Sequence, residues 1–235
     1  MNYCFIHFDP LEIRALFKGI YKSETMIHSR FLISGLLPVL MSVSAPLAWG
    51  QSGASLLFRE DFKEIPAATP VTEDHLVNEE LELHLYGDAK NQLKKSNHPE
   101  IPNDPFYLWS GTCEGTWAMA LSWKKGGIDL RNGGKIRFRS RQSGFHRLRM
   151  ILELDAGNWV ISEDEVGETP DWVVSEFEIG EMTWRELNIG RIVEGKPVAN
   201  PDFSKVSKIG FTDLMAGGGT PASSRLDWVA VYKGD

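Results

Sequence analysis

Three runs of two-residue alternation constrain this chain more than anything else in it. They are Leu81 to Tyr86 (LELHLY), Lys135 to Arg141 (KIRFRSR) and Arg147 to Leu154 (RLRMILEL). Such patterning turns alternate side chains to opposite faces of an extended strand, whereas a helix gathers its apolar face at a period of 3.6. Shorter strand candidates lie at 107–110, 117–123, 158–162, 172–178, 184–189, 206–211 and 225–232. Clusters of Gly, Asn, Asp and Pro separate them at 97–105, 124–134, 163–171, 194–204 and 216–222. Many short strands punctuated in this way predict an all-β protein, an antiparallel β-sandwich. The longest irregular stretch, 87–105, holds Lys90, Lys94, Lys95 and His98. Loops of that length are uncommon unless they carry function or move.

The N-terminal region has a different character. Met26 is followed by His28, Arg30 and an apolar run, FLISGLLPVLMSVSAPLAW, that closes on Ala48-Trp49-Gly50. A basic start, an apolar centre and a small-residue exit are the parts of a secretory signal. The run is also close to the minimum length of a membrane anchor. Pro38, Pro46 and the exit motif favour a signal peptide over 26–50, and with it a secreted or periplasmic protein with no membrane span after cleavage. Residues 1–25 carry Asp9, Glu12 and Glu24 where a signal begins with basic residues, so Met26 reads as the true start. A single domain is then expected over 51–235, long enough for one sizeable core.

Residues 51–235 hold 21 Lys+Arg against 29 Asp+Glu, a balance of −8. That acidity argues against a nucleic-acid partner. Cys113 is the one cysteine after Cys4, so no internal disulfide follows from export. It reads as a small buried hydrophobe.

Two side-chain sets point to a ligand. The first is an arginine ladder. Arg137, Arg139 and Arg141 share one face of their strand, and Arg147 and Arg149 share one face of the next. A hairpin through 142–146 would set Arg141 against Arg147 and Arg139 against Arg149. Like charges directly opposite are unfavourable by up to about 1 kcal/mol a pair. Something anionic is expected to cover them. Neighbouring carboxylates such as Glu176 and Glu178 are one cover; a uronate or sulfate ester held by guanidinium forks is the other. The second set is aromatic: Tyr107, Trp109, Trp117, Trp123, Trp159, Trp172 and Trp184. At least half are expected in the core, with Trp109 and Trp159 the better surface candidates for stacking a sugar ring. The ligand set is therefore Arg139, Arg141, Arg147 and Arg149, with Tyr107, Trp109, Trp159 and His146.

The two ends of the domain form a further constellation. LFREDF stands at 57–62 near its start and SRLDWVAVY at 224–232 at its end. Asp227 lies inside the last core strand and needs a partner. A hard cation shared with Glu60 or Asp61 would serve, and so would an arginine, Arg225 or Arg59.

Here the chain resembles a known family. RLDWVAVY is similar to the final strand of secreted jelly-roll carbohydrate-binding modules of the galactose-binding-like superfamily. IDLRNGGKIRFRSR at 128–141 and PDFSKVSKIGF at 201–211 resemble two further strands of those modules. The likeness runs loosely over 51–235 but departs at 87–117 and 211–220. It implies a jelly roll, a polysaccharide or oligosaccharide partner, and a structural calcium held by Glu60, Asp61 and Asp227.

Catalytic templates are absent: the chain has no HExxH, GxSxG or CxxC. FTDLMAGGGT at 211–220 lacks the Lys-Ser/Thr of a nucleotide loop. His75, His84, His98 and His146 are scattered. A lyase or glycoside hydrolase on the same fold is the alternative to a non-catalytic binding domain, and Arg139, Arg147, His146 and Tyr107 are its candidate groups. A structural exported protein with every arginine paired internally is a third reading.

Overall fold

The computed structural model describes residues 54–96, 100, 106–216 and 222–234. The signal peptide expected at 26–50, the extension expected at 1–25, the expected mature start at Gln51, and His98 lie outside the described residues. Among those described, the strands are β1 (Ser55–Glu60), β2 (Leu81–Tyr86), β3 (Lys94–Ser96), β4 (Tyr107–Trp109), β5 (Ala118–Trp123), β6 (Lys135–Gln142), β7 (Leu148–Glu153), β8 (Trp159–Val166), β9 (Val173–Glu178), β10 (Trp184–Asn188), β11 (Val193–Val198), β12 (Lys208–Thr212) and β13 (Ser224–Lys233). They build two antiparallel sheets. A six-stranded sheet runs β3-β4-β13-β6-β9, with β1 also paired to β13, and a seven-stranded sheet runs β11-β10-β8-β7-β12-β5-β2. This is an antiparallel β-sandwich of jelly-roll type.

Alternation in the sequence becomes the two faces of each sheet. In β6, Ile136, Phe138, Ser140 and Gln142 are buried while Lys135, Arg137, Arg139 and Arg141 are half-buried on the other face. Phe138 meets Phe211 of β12, in the opposite sheet, with ring centroids 4.8 Å apart. Trp117 is buried, and Trp123 packs against the same core. The two internal stretches that carry the family resemblance lie side by side: Ile128 bridges Val206, and the Leu130 N–H donates to the Phe203 carbonyl at 3.0 Å.

The expected hairpin between β6 and β7 does not form. β6 pairs with β13 and β9 in one sheet, while β7 pairs with β12 and β8 in the other. The connection 143–147 crosses between sheets, so Arg141 does not face Arg147 and Arg139 does not face Arg149. Alternation tells which face a residue takes but not which strand lies beside it.

Two strands were not legible in the sequence. β11 contains Gly195 and Pro197, which read as turn residues, and Pro197 is tolerated because β11 is an edge strand. β3 is three residues long and carries Lys95, which has no exposed surface. The Lys95 Nζ donates to the Ser96 carbonyl at 2.9 Å and lies 4.7 Å from the Phe106 ring centroid. One acceptor and one ring compensate a buried ammonium poorly, and burial pushes its pKa down to about 8.

A depressed Lys pKa means that the unfolded chain holds more protons between the two values, so this contribution to stability rises with pH. Lys95→Met is expected to raise Tm near pH 7 by about 2–4 °C, the shift that ~1 kcal/mol gives in a domain of this size. The advantage of the variant should shrink as pH rises from about 8 toward 10.5. Thermal melts of both proteins across that range check the sign.

Candidate functional site

Directly opposed residues on adjacent strands share a face. Across the six-stranded sheet, Lys94 of β3 is opposite Trp109 of β4. Trp109 is opposite Arg225 of β13, and Arg225 is opposite Arg141 of β6. All four are half-buried. They form one row of three cations and an indole on the outer face. No carboxylate among the described residues pairs with Lys94, Arg141 or Arg225; Arg225 Nη1 reaches the Ser143 hydroxyl at 3.4 Å. The Trp109 ring is fixed by its N–H donating to Ser223 Oγ at 2.8 Å. Lys94 Nζ stands 5.4 Å from its centroid. Gly111 lies so close beneath it that a β-carbon there would come within 2.3 Å of the indole.

The neighbouring part of that face is internally compensated. Arg139 Nη1 donates to Asp227 Oδ2 at 2.7 Å, and its guanidinium carbon lies 5.1 Å from the Trp172 ring. Trp172 also meets Tyr107 edge-on at 5.2 Å, which leaves Tyr107 2% exposed. Arg137 pairs with Glu176 at 3.3 Å. Arg59 grips Asp61 at 2.6 Å and lies 4.0 Å over Trp228.

The ligand set inferred from sequence is therefore divided. Arg141 and Trp109 come together in the row. Arg139 is held by Asp227. Arg147 lies 3.5 Å from Glu165, and Arg149 is buried on the other sheet, donating to the Ser162 carbonyl at 2.6 Å and to Glu194 at 2.7 Å. Glu176 covers Arg137, as expected of a neighbouring carboxylate, while Asp227 and not Glu178 covers Arg139. His146 is buried, with Nδ1 2.7 Å from Asp213 Oδ2. That same oxygen accepts the Ser110 hydroxyl at 3.3 Å, and Asp213 Oδ1 accepts the Met215 N–H at 3.0 Å. This cluster anchors the base of the loop that follows β12. Trp159 is 8% exposed and lies on the seven-stranded sheet, away from the row. Cys113 is buried, and desolvation pushes its thiol up to about 12, as suits an inert residue. Lys94 and Arg225 are the row members that sequence reasoning missed. Lys94 stood within a stretch of lysines and Arg225 two residues from Asp227, but nothing short of the strand order sets them beside Arg141.

The three carboxylates assigned to calcium are each engaged by donors of this chain. Buried Glu60 accepts N–H bonds from Phe62 at 2.7 Å, Val77 at 2.9 Å and Asn78 at 3.0 Å. Asp61 pairs with Arg59, and Asp227 with Arg139. Burial raises the Asp227 pKa, opposed by Arg139. Among the described residues, no group of three or more His, Cys, Asp or Glu is gathered as a metal would need.

No family model matches this chain, and no curated protein matches it. Among solved structures it is similar to carbohydrate-binding modules. A family 29 module complexed with cellulohexaose shares 13% identity, covering 75% of this chain and 92% of that one, with a TM-score of 0.40. The family 11 module of a cellulosomal cellulase of Clostridium thermocellum shares 14% identity over 78% of this chain and 95% of that one, with a TM-score of 0.42. An arabinose-bound GH51 α-L-arabinofuranosidase shares 17% identity over 78% of this chain and 27% of that one, with a TM-score of 0.41. Likeness of this degree says nothing about the ligand of this chain.

Asp227→Asn is expected to cost about 1–3 kcal/mol, because it leaves Arg139 without its carboxylate. With the donors described above, that loss should be the same in calcium and in chelator. A calcium-dependent rise in Tm, present in the wild type and lost in Asp227→Asn, would instead give the cation the role the sequence implied.

Proposed function

We propose that this chain is an exported, non-catalytic carbohydrate-binding domain that takes an acidic polysaccharide on the outer face of its six-stranded sheet. The observation that carries the reading is the row Lys94, Trp109, Arg225, Arg141. Two guanidiniums directly opposite one another cost stability unless an anion lies across them. Their planar forks match a uronate carboxylate or a sulfate ester. Between them and Lys94, the Trp109 indole offers an apolar surface to the C–H face of a sugar ring. The row is local and basic on a domain whose balance is acidic, so attraction should act at short range and weaken with salt. The leader-like segment at 26–50 supports export. A lyase would need a base beside these arginines. Of the candidates, His146 is buried against Asp213 and Tyr107 lies under Trp172, so binding is the better reading.

Affinity electrophoresis in gels containing polygalacturonate, alginate or a sulfated galactan tests this. Retardation by an acidic polymer is expected. It should weaken by about tenfold or more in Arg141→Ala/Arg225→Ala, and fade as salt rises from about 50 to 500 mM. Gly111→Ala changes no charge but must displace the Trp109 ring, so it should weaken binding a few-fold. Wild-type protein that no acidic polymer retards, or a double arginine variant that binds as the wild type does, would overturn the proposal.

A further inference from the structure

The turn that leads into β6 carries the one Asn-Gly step in the chain, Asn132-Gly133. Asn132 has φ 55° and Gly133 φ 87°. Paired positive values are those of a type I′ turn, for which Asn-Gly is the preferred sequence. Asn132 is exposed. The turn is held from its first residue, where Asp129 Oδ1 accepts the Arg131 N–H at 3.0 Å and Oδ2 accepts Arg131 Nη2 at 2.6 Å.

Beyond Arg131 the turn is unencumbered. Among the described residues, neither the Asn132 carboxamide nor the Gly133 N–H has a hydrogen-bond partner. Each of the other described asparagines is blocked in at least one of these respects. Asn78 engages both ends of its carboxamide, Nδ2 with the Arg59 carbonyl at 3.3 Å and Oδ1 with the Glu80 N–H at 3.0 Å. Asn158 Nδ2 donates to the Asp155 carbonyl at 3.3 Å, and Asn188 Oδ1 accepts the Arg191 N–H at 3.1 Å. Asn91 precedes Gln92, whose N–H donates to the Ala89 carbonyl at 2.8 Å. Asn200 precedes Pro201, which has no N–H to lose.

We infer that Asn132 is a site of spontaneous deamidation, where asparagine passes to aspartate and isoaspartate. The Gly133 nitrogen gives its proton to solvent and attacks Asn132 Cγ. The N–Cγ bond forms, the Cγ–Nδ2 bond breaks, and the leaving nitrogen takes a proton from solvent to depart as ammonia. Water then opens the five-membered imide at either carbonyl. One opening gives aspartate; the other gives a backbone lengthened by one methylene. Water is the only co-reactant, and no oxidant or reductant is needed. Ring closure joins two groups already held one residue apart, which favours it entropically. Residue 133 has no β-carbon to shield the attacking nitrogen. The attack requires the turn to leave its resting dihedrals, and an exposed turn with few bonds opens at small cost.

Conversion alters the start of β6. It puts a carboxylate in place of a neutral amide near Glu178, whose Oε1 lies 3.7 Å from the position a Gly133 β-carbon would take. The Asn132 carbonyl also lies so close to Gly234 that a β-carbon on that residue would fall 1.9 Å from the oxygen. An extra methylene there displaces the turn or the residues that follow β13. The site is independent of the basic row.

The test incubates the intact protein in warm, mildly alkaline buffer, maps its peptides by mass spectrometry and counts isoaspartate by enzymatic methylation. Asn132 is expected to convert about tenfold or more faster than any other described asparagine. Asn132→Gln should lose that fast site and still bind acidic polymer as the wild type does, so failure of the basic row and failure of this inference are distinguishable. Asn132→Asp keeps a residue that tolerates the left-handed region and isolates the effect of charge; the incubated wild type should melt below it, because isoaspartate lengthens the backbone. The inference is overturned if Asn132 stays intact in the folded protein, with the urea-unfolded chain in the same buffer showing that the conditions suffice, or if another described asparagine converts as fast.

Discussion

The last strand of the chain is the member on which the six-stranded sheet depends. β13 is hydrogen-bonded to β6 from Ser224 to Tyr232 on one side. On the other it pairs first with β4, at Arg225 and Leu226, and then with β1, from Val229 to Lys233. The first strand, the last strand and two strands from the middle of the sequence are thereby joined through ten residues. Between Leu226 and Trp228 the register with β6 shifts, and Asp227 is the extra residue. A bulge re-aims a side chain without ending the ladder. Here it lets Asp227 reach Arg139 while Trp228 stays on the outer face under Arg59. The row of Lys94, Trp109, Arg225 and Arg141 and the structural ion pairs on that face both depend on this register.

The charged outer face shows how neighbouring residues of one type acquire different fates. Arg137, Arg139 and Arg141 follow one another at every second position of β6. Arg137 meets Glu176 and Arg139 meets Asp227, each carboxylate coming from a different neighbouring strand. Arg141 meets Arg225. A guanidinium opposite a carboxylate is neutralised within the sheet, whereas one opposite another guanidinium attracts an anion from outside. The difference lies in the partner strands, since the three arginines are alike in sequence context.

Much of the architecture was legible because alternation has a simple physical cause. The runs at 81–86, 135–141 and 147–154 became β2, β6 and β7 with most of their apolar residues inward, Tyr86 and Ile151 packing instead on the other face of their sheet. The fate of Cys113 followed from the lack of any activating neighbour. β3 and β11 escaped notice for an equally physical reason: a three-residue strand with a buried lysine, and an edge strand with Gly and Pro, carry no apolar period.

By itself the amino-acid sequence determined that the chain would form short antiparallel strands and which face of most strands would be buried. Both follow from local backbone geometry and the cost of exposing apolar surface. It also determined that the outward residues of β6 would be basic. Tertiary structure alone decided that β6 and β7 part into different sheets, that Asp227 neutralises Arg139, and that Lys94, Trp109, Arg225 and Arg141 stand in one row. The reason is that strand order and register are set by contacts between residues far apart in the chain. A two-residue period carries no information about which strand will lie alongside.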